Sequence, residues 1–168
     1  NIILKVEMKK NKISAVLGPT NTGKTFFAIE TMLSFNSGMM GFPLRLLARE
    51  IYDKIIEKID PSIVALITGE EKIIPLNAKY FLCTVESMPL DKDLEFVGVD
   101  EIQMCNDHER GHIFTERLLN LRGEKLTMFM GSNTIKNIIE KLDDNIEFIN
   151  KERFSKLSFS GHKKISRI

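Results

Sequence analysis

The chain has no tryptophan and, among its 168 residues, only two cysteines and three histidines, scarcities that already remove several classes of protein. Cys83 and Cys105 stand in unrelated contexts with no C-x-x-C pair. That argues against a disulfide framework and against a zinc ribbon, and in favour of buried, reduced thiols. An excess of one charge is lacking too. With 24 Lys and Arg against 23 Asp and Glu the net charge is +1, so the chain as a whole has no basic footprint for nucleic acid. Apolar runs are short and broken by charge, and none approaches the roughly 20 residues of a membrane span. The start NIILKVEMKK has neither the apolar core nor the cleavage site of a signal peptide. The expectation is a soluble, intracellular protein with no membrane partner. There is no internal repeat and no low-complexity tract.

What is present is enough apolar material, 43% hydrophobic residues, for one compact domain with a real core. Near-continuous apolar runs at 13–17, 39–42, 63–67, 80–85, 96–99, 126–130 and 146–149 read as strands, each bounded by turn residues. Helical spacing fills 24–34, 44–59, 113–121 and 135–142. Buried strands alternating with amphipathic helices predict an α/β fold, a mainly parallel sheet with helices on both faces. Composition shifts only near the end, where 151–168 holds six Lys and Arg against one acid, Glu152. Residues 1–150 are therefore the expected domain and 151–168 a basic, solvated segment.

Two motifs compete for the chemistry. GPTNTGKT (18–25) follows the first strand and opens the first helix, the context that a phosphate-binding loop requires. Gly18 and Gly23 allow the backbone through Pro19, Thr20, Asn21 and Thr22 to wrap so that N–H groups point at phosphate oxygens, at the positive end of a helix. Lys24 then reaches the β- and γ-phosphates of ATP, and the Thr25 hydroxyl binds Mg²⁺. Such a loop calls for an apolar strand ending in an acid, and FVGVDEIQ (96–103) supplies one. Asp100 is the metal-side carboxylate and Glu101 is placed to polarise an attacking water. The rival is HERGH (108–112), the spacing of a zinc-protease helix. Gly111 interrupts it, and His162, in the basic segment, is a poor third ligand. Asp107, His108 and Glu109 read as the polar start of a helix. His108 and His112 are expected as surface side chains.

With these motifs fixed, GFPLRLLARE (41–50), TGEE (68–71), CTVESMP (83–89), DEIQM (100–104), RGHIFTERLL (110–119) and MGSNT (130–134) fall into a familiar order. The chain resembles the first RecA-like domain of a superfamily-two helicase, most nearly the family of the mitochondrial RNA-degradosome helicase and its bacterial relatives. The resemblance implies a RecA-like P-loop NTPase fold and ATP-dependent unwinding of RNA, with DNA often accepted. It also implies a ribonuclease partner and a mitochondrial-matrix or bacterial cytoplasmic location. It assigns Gln103 to the catalytic set beside Lys24, Asp100 and Glu101. Strand contact falls to Pro43, Arg45, Thr68, Gly69 and Thr84 through backbone N–H groups, hydroxyls and the guanidinium, and coupling of hydrolysis to movement falls to Ser132 and Thr134. Glu70 and Glu71 cannot bind phosphate and are expected in intramolecular salt bridges, and Ser132 or Asn133 is also a natural cap for the next helix.

The family's second RecA-like domain, with its arginine finger, is not found in these residues. The expectation is a piece of a longer helicase, with 151–168 leading toward that domain, which by itself binds nucleotide but turns it over slowly. A zinc-ribbon thymidine kinase also joins a phosphate loop to Asp-Glu-x-Gln. That alternative needs paired C-x-x-C ligands and leaves PLRLLARE and TGEE unexplained.

Overall fold

A computed structural model describes residues 12–19, 23–141 and 146–150. The apolar runs become strands β1 (Lys12–Leu17), β2 (Gly38–Phe42), β3 (Val64–Ile67), β5 (Tyr80–Thr84), β6 (Phe96–Val99), β7 (Leu126–Gly131) and β8 (Glu147–Asn150). A two-residue strand, β4 (Lys72–Ile73), joins them. The helices are α1 (Lys24–Leu33), α2 (Arg45–Ile56), α3 (Gly111–Asn120) and α4 (Lys136–Glu140). Among the described residues the strands form one sheet in the order β4-β3-β5-β2-β6-β7-β1-β8, parallel throughout except for the β3–β4 pair.

Side chains alternate across each strand, so the sheet separates its residues into two cores. On one face Val16, Met40, Phe42, Leu66, Leu82, Phe96 and Met128 pack beneath α1 and α2 through Ala28, Met32, Ala48 and Ile55. On the other, Ala15, Leu17, Met39, Ala65, Phe81, Val97 and Phe129 meet Phe114 and Leu118 of α3 and Ile139 of α4. Helices cover both faces, as the buried strands require. No helix among the described residues is long and apolar enough to cross a membrane.

Several boundaries differ from the pattern. α2 stops at Ile56 rather than running to 59, because Asp60 and Pro61 start a 3₁₀ turn in which Asp60 caps the Ser62 N–H at 3.0 Å. β5 ends at Thr84, and Val85 begins a second 3₁₀ turn, Val85–Ser87. β4 is too short to show a period. It exists because TGEE folds back as a hairpin turn, with the Thr68 N–H donating to the Glu71 carbonyl at 2.8 Å. Cys83 is buried, and burial pushes its thiol up to about 12, but Cys105 is only half-buried, short of the expectation for both.

Register fixes where the loops meet. Ile67 pairs with Cys83, Cys83 with Gly41, Gly41 with Val99, and Val99 with Phe129, while Leu17 pairs with Gly131. The segments after β3, β5, β2, β6, β7 and β1 therefore emerge along a single edge, the carboxyl edge where parallel sheets bind ligands.

Candidate nucleotide and strand-binding sites

The carboxyl edge divides by chemistry. Strands β6, β7 and β1 are neighbours and carry DEIQ, MGSNT and the phosphate loop; β3, β5 and β2 are neighbours and carry TGEE, the turn after Thr84, and Pro43 with Arg45. Motifs scattered through the sequence are sorted into two contiguous halves.

In the first half, β1 runs into Gly18, whose N–H donates to the Gly131 carbonyl at 3.0 Å. Gly23 closes the loop at φ 83° and ψ 15°, a left-handed geometry that costs any residue with a Cβ, and from it α1 starts. Lys24 is 6% exposed, its ammonium held by the carbonyls of Gly18 at 2.8 Å and Pro19 at 2.7 Å. Thr20, Asn21 and Thr22 lie outside the described residues. The Thr25 hydroxyl donates to Asp100 Oδ2 at 2.9 Å, so groups 75 residues apart meet beside the lysine. Asp100 is 1% exposed. Burial above all pushes its carboxyl up to about 6; the Thr25 bond opposes this and the Glu101 charge adds to it. A buried carboxylate against a hydroxyl is a pair of hard oxygen donors, and these residues fit Mg²⁺.

Glu101 has φ 55° and ψ 47°, the only non-glycine residue with positive φ among those described. Such strain collects at functional sites. Its own N–H donates to Asp100 Oδ1 at 2.9 Å, and its side chain accepts a hydrogen bond from Gln103 Nε2. Gln103 Oε1 in turn accepts the Ser132 N–H at 3.1 Å, and the hydroxyls of Ser132 and Thr134 lie 2.6 Å apart. Gln103 thus bridges DEIQ to MGSNT. Ser132 precedes the 3₁₀ turn Asn133–Ile135 without a side-chain cap bond, so the capping role expected of it is not the one it takes. An added Cβ on Gly131 would lie 2.6 Å from Gln103 Oε1, so a larger residue there has to displace the Gln103 side chain.

In the second half, the side chains are mostly engaged. Arg45 is ion-paired with Glu70, and Arg49 with Glu71 at 2.5 Å and with Asp53 at 3.2 Å. The salt bridges expected of the two glutamates are present. The Thr68 hydroxyl, 1% exposed, accepts from the N–H groups of Glu70 at 3.2 Å and Glu71 at 2.9 Å, and Thr84 is 8% exposed. The Thr68 hydroxyl shapes its turn rather than facing solvent, and Thr84 is buried ahead of the Val85–Ser87 turn without a side-chain cap bond. Pro43 is half-buried, and Gly69 is exposed, with nothing within 4 Å of where its Cβ would stand. Glu86, Arg110 and Arg117 form a further cluster that the pattern left without a role; the spacing of seven that puts both arginines on one helix face was its signal.

HERGH does not form one helix. His108 lies in an exposed turn, α3 begins at Gly111, and His112 is exposed on its first turn.

A sheet of this order, with a phosphate loop bonded to a strand-terminal Asp-Glu, defines a RecA-like P-loop nucleotide-binding domain. A family model described as the DEXQ-box helicase domain of Suv3 matches residues 4–151, and the chain belongs to that family. It is 36% identical over 152 residues to the mitochondrial DExH-box ATP-dependent RNA helicase DExH18 of Arabidopsis thaliana. It is 38% identical over 155 residues to the mitochondrial ATP-dependent RNA helicase SUV3 of Saccharomyces cerevisiae. These alignments cover 88% and 84% of this chain but 19% and 20% of the relatives, so the chain spans about a fifth of their length. Of solved structures, the Hef helicase domain of Pyrococcus furiosus superposes with TM-score 0.59 at 18% identity, over 89% of this chain and 37% of that one. The C-terminal domain of the DEAD-box protein Dbp5 gives 0.57 at 10%, over 86% and 91%. Both are likenesses of fold. The thymidine-kinase alternative finds no support in these matches.

Proposed function

We propose that this chain is the ATP-binding first domain of an ATP-dependent RNA helicase. Residues 1–150 would form the motor domain, and 151–168 would lead to a second RecA-like domain of the same chain. The observation that carries the reading is the Thr25–Asp100 hydrogen bond at 2.9 Å beside the buried Lys24 ammonium, which assembles a phosphate loop and a metal-side acid from distant segments. Lys24 would turn from the carbonyls of Gly18 and Pro19 to the β- and γ-phosphates, Thr25 and Asp100 would hold Mg²⁺, and Glu101, oriented by Gln103, would accept a hydrogen bond from the attacking water. When bound, Mg²⁺ neutralises charge on the phosphate oxygens. Ser132 and Thr134 relay the state of that site through Gln103.

RNA, or DNA in its place, lies across the ends of β2, β3 and β5. Gly69 supports this: its φ is not left-handed and no neighbour crowds it, so neither conformation nor packing demands a glycine, whereas a strand pressed on the backbone does. The relatives' length favours the second domain, which would supply the arginine that stabilises transition-state charge, a contribution of about 10³–10⁵ in rate. Alone, this domain would bind nucleotide and hydrolyse it slowly. The relatives' names favour the mitochondrial matrix over a bacterial cytoplasm, and the family resemblance adds a ribonuclease partner.

Two measurements test the reading. A labelled ATP analogue titrated with Mg²⁺ should bind wild type well and Lys24→Ala poorly. In the full-length parent, Glu101→Gln should abolish RNA-stimulated turnover and unwinding. Equal affinities in the first, or unchanged turnover in the second, refute it.

A further inference from the structure

RGHIFTERLL (110–119) marks the family resemblance without having a task in it, and the structure supplies one. Arg110, just ahead of α3, forks onto Glu86, with Nε 2.5 Å from Oε2 and a terminal nitrogen 2.9 Å from Oε1. Its guanidinium carbon stands 5.5 Å from the centre of the fully buried Phe114 ring. Seven residues on, Arg117 is 8% exposed and its Nε donates to the Val85 carbonyl at 3.1 Å. Both arginines thereby hold Val85–Ser87, the turn that continues β5 past Thr84. A lone surface ion pair contributes little. This one is bidentate, stacked on an aromatic face and reinforced by a buried donor two helical turns away, so its geometry is defined.

The other end of the same segment is Glu101. The Met104 N–H donates to the Glu101 carbonyl at 3.0 Å, the Asp107 N–H to Met104 at 2.9 Å, and the Gly111 N–H to Asp107 at 2.9 Å. This chain of backbone bonds runs from Glu101 to the start of α3. Gly111 is pressed against it so closely that an added Cβ would lie 2.5 Å from the Cys105 carbonyl oxygen. Backbone bonds and close packing therefore tie the DEIQ segment to the root of α3, and contiguous connections of this kind can carry coupling between two sites.

We propose that Arg110, assisted by Arg117, is a positioning residue that joins the turn Val85–Ser87 to the DEIQ segment, so that RNA held beyond Thr84 sets the placement of Glu101. This inference rests on the function proposed above and adds the route by which RNA accelerates hydrolysis. Arg110 acts through Glu86 and does not itself contact the reacting phosphate.

The test uses the full-length parent with an unstructured oligouridylate, and measures ATP turnover without RNA, turnover at saturating RNA, and RNA affinity. Arg110→Ala should leave RNA-free turnover within about twofold while lowering RNA stimulation about 2- to 30-fold, the range of coupling carried by such networks. Glu86→Gln should act in the same direction, and the double variant should be no worse than Arg110→Ala, because both remove one connection. Arg110→Lys, which keeps the charge but not the fork, should retain the fold and lose part of the stimulation. If wild type ignores RNA, the proposed function falls and this inference with it. If wild type is stimulated and Arg110→Ala matches it, or if RNA-free and RNA-stimulated turnover fall equally, this inference alone is overturned. Additive losses in the double variant overturn it as well.

Discussion

Replacing Asp100 by Asn should make this chain more stable while removing the carboxylate proposed to face Mg²⁺. Burial moves the Asp100 carboxyl from 3.8 to about 6, a rise of about two units, and each unit is worth about 1.4 kcal/mol between protonation states. The folded state thus holds this proton more tightly than the unfolded chain does. Between about pH 4 and pH 6 the unfolded chain gives it up first, so stability falls as pH rises through that window. Above about pH 6 the full cost, ~3 kcal/mol, is present; below about pH 4 it is gone. Asn is neutral throughout and can keep both local bonds: its Oδ1 accepts the Glu101 N–H and its Nδ2 donates to Thr25 Oγ1 once that hydroxyl turns. Allowing for imperfect replacement of the two bonds, Asp100→Asn should gain about 1–3 kcal/mol at pH 8, or several degrees in Tm for a domain of this size. Thermal and urea unfolding of both chains, in EDTA and without nucleotide, at pH 4 and pH 8 measures it. A variant less stable than wild type at pH 8, or a gain equal at both pH values, refutes the reasoning.

Three further outcomes follow from the packing and the ion pairs. Gly131→Ala puts a Cβ 2.6 Å from Gln103 Oε1 and 3.0 Å from Ile102, so it should displace the Gln103–Ser132 bond and cost about 1–3 kcal/mol, read as a lowered Tm. Phe114→Ala empties a fully buried site under α3 and should cost about 3–5 kcal/mol in urea unfolding. Glu70→Gln with Glu71→Gln removes the carboxylate facing Arg45 and one of the two facing Arg49, which keeps Asp53; single-stranded RNA should bind the parent several-fold more tightly, with a steeper salt dependence. Unchanged affinity and slope would remove Arg45 from the strand site.

Local pattern carried much of this. Period and turn residues located seven of the strands because strands inside a parallel sheet, covered on both faces, are apolar along most of their length, and the edge strand β8 keeps enough apolar residues to be read with them. GPTNTGKT was legible because phosphate binding needs a short contiguous run in which Gly23 takes a left-handed φ. DEIQ was legible because an acid at the end of an apolar strand has few other uses beside such a loop. β4 was not legible: two residues have no period, and the strand exists only because TGEE turns back on β3. The Glu86–Arg110–Arg117 cluster was legible only as a spacing of seven, since charged residues on a helix read as solvated until the turn Val85–Ser87 is placed against them.

The sequence by itself determined the alternation of strands and helices, the phosphate loop and the family to which the chain belongs. All of these depend on neighbours in the chain: apolar period, glycine conformation and the order of short motifs. The tertiary structure decided which motifs face one another. Strand order brings β6 and β7 beside β1 and separates them from β3 and β5, giving Thr25 its contact with Asp100, Gln103 its contact with Ser132, and Arg45 its contact with Glu70. Those pairings depend on sheet topology and register. Both are settled by burying two apolar faces at once, a property of the whole chain that no local stretch contains.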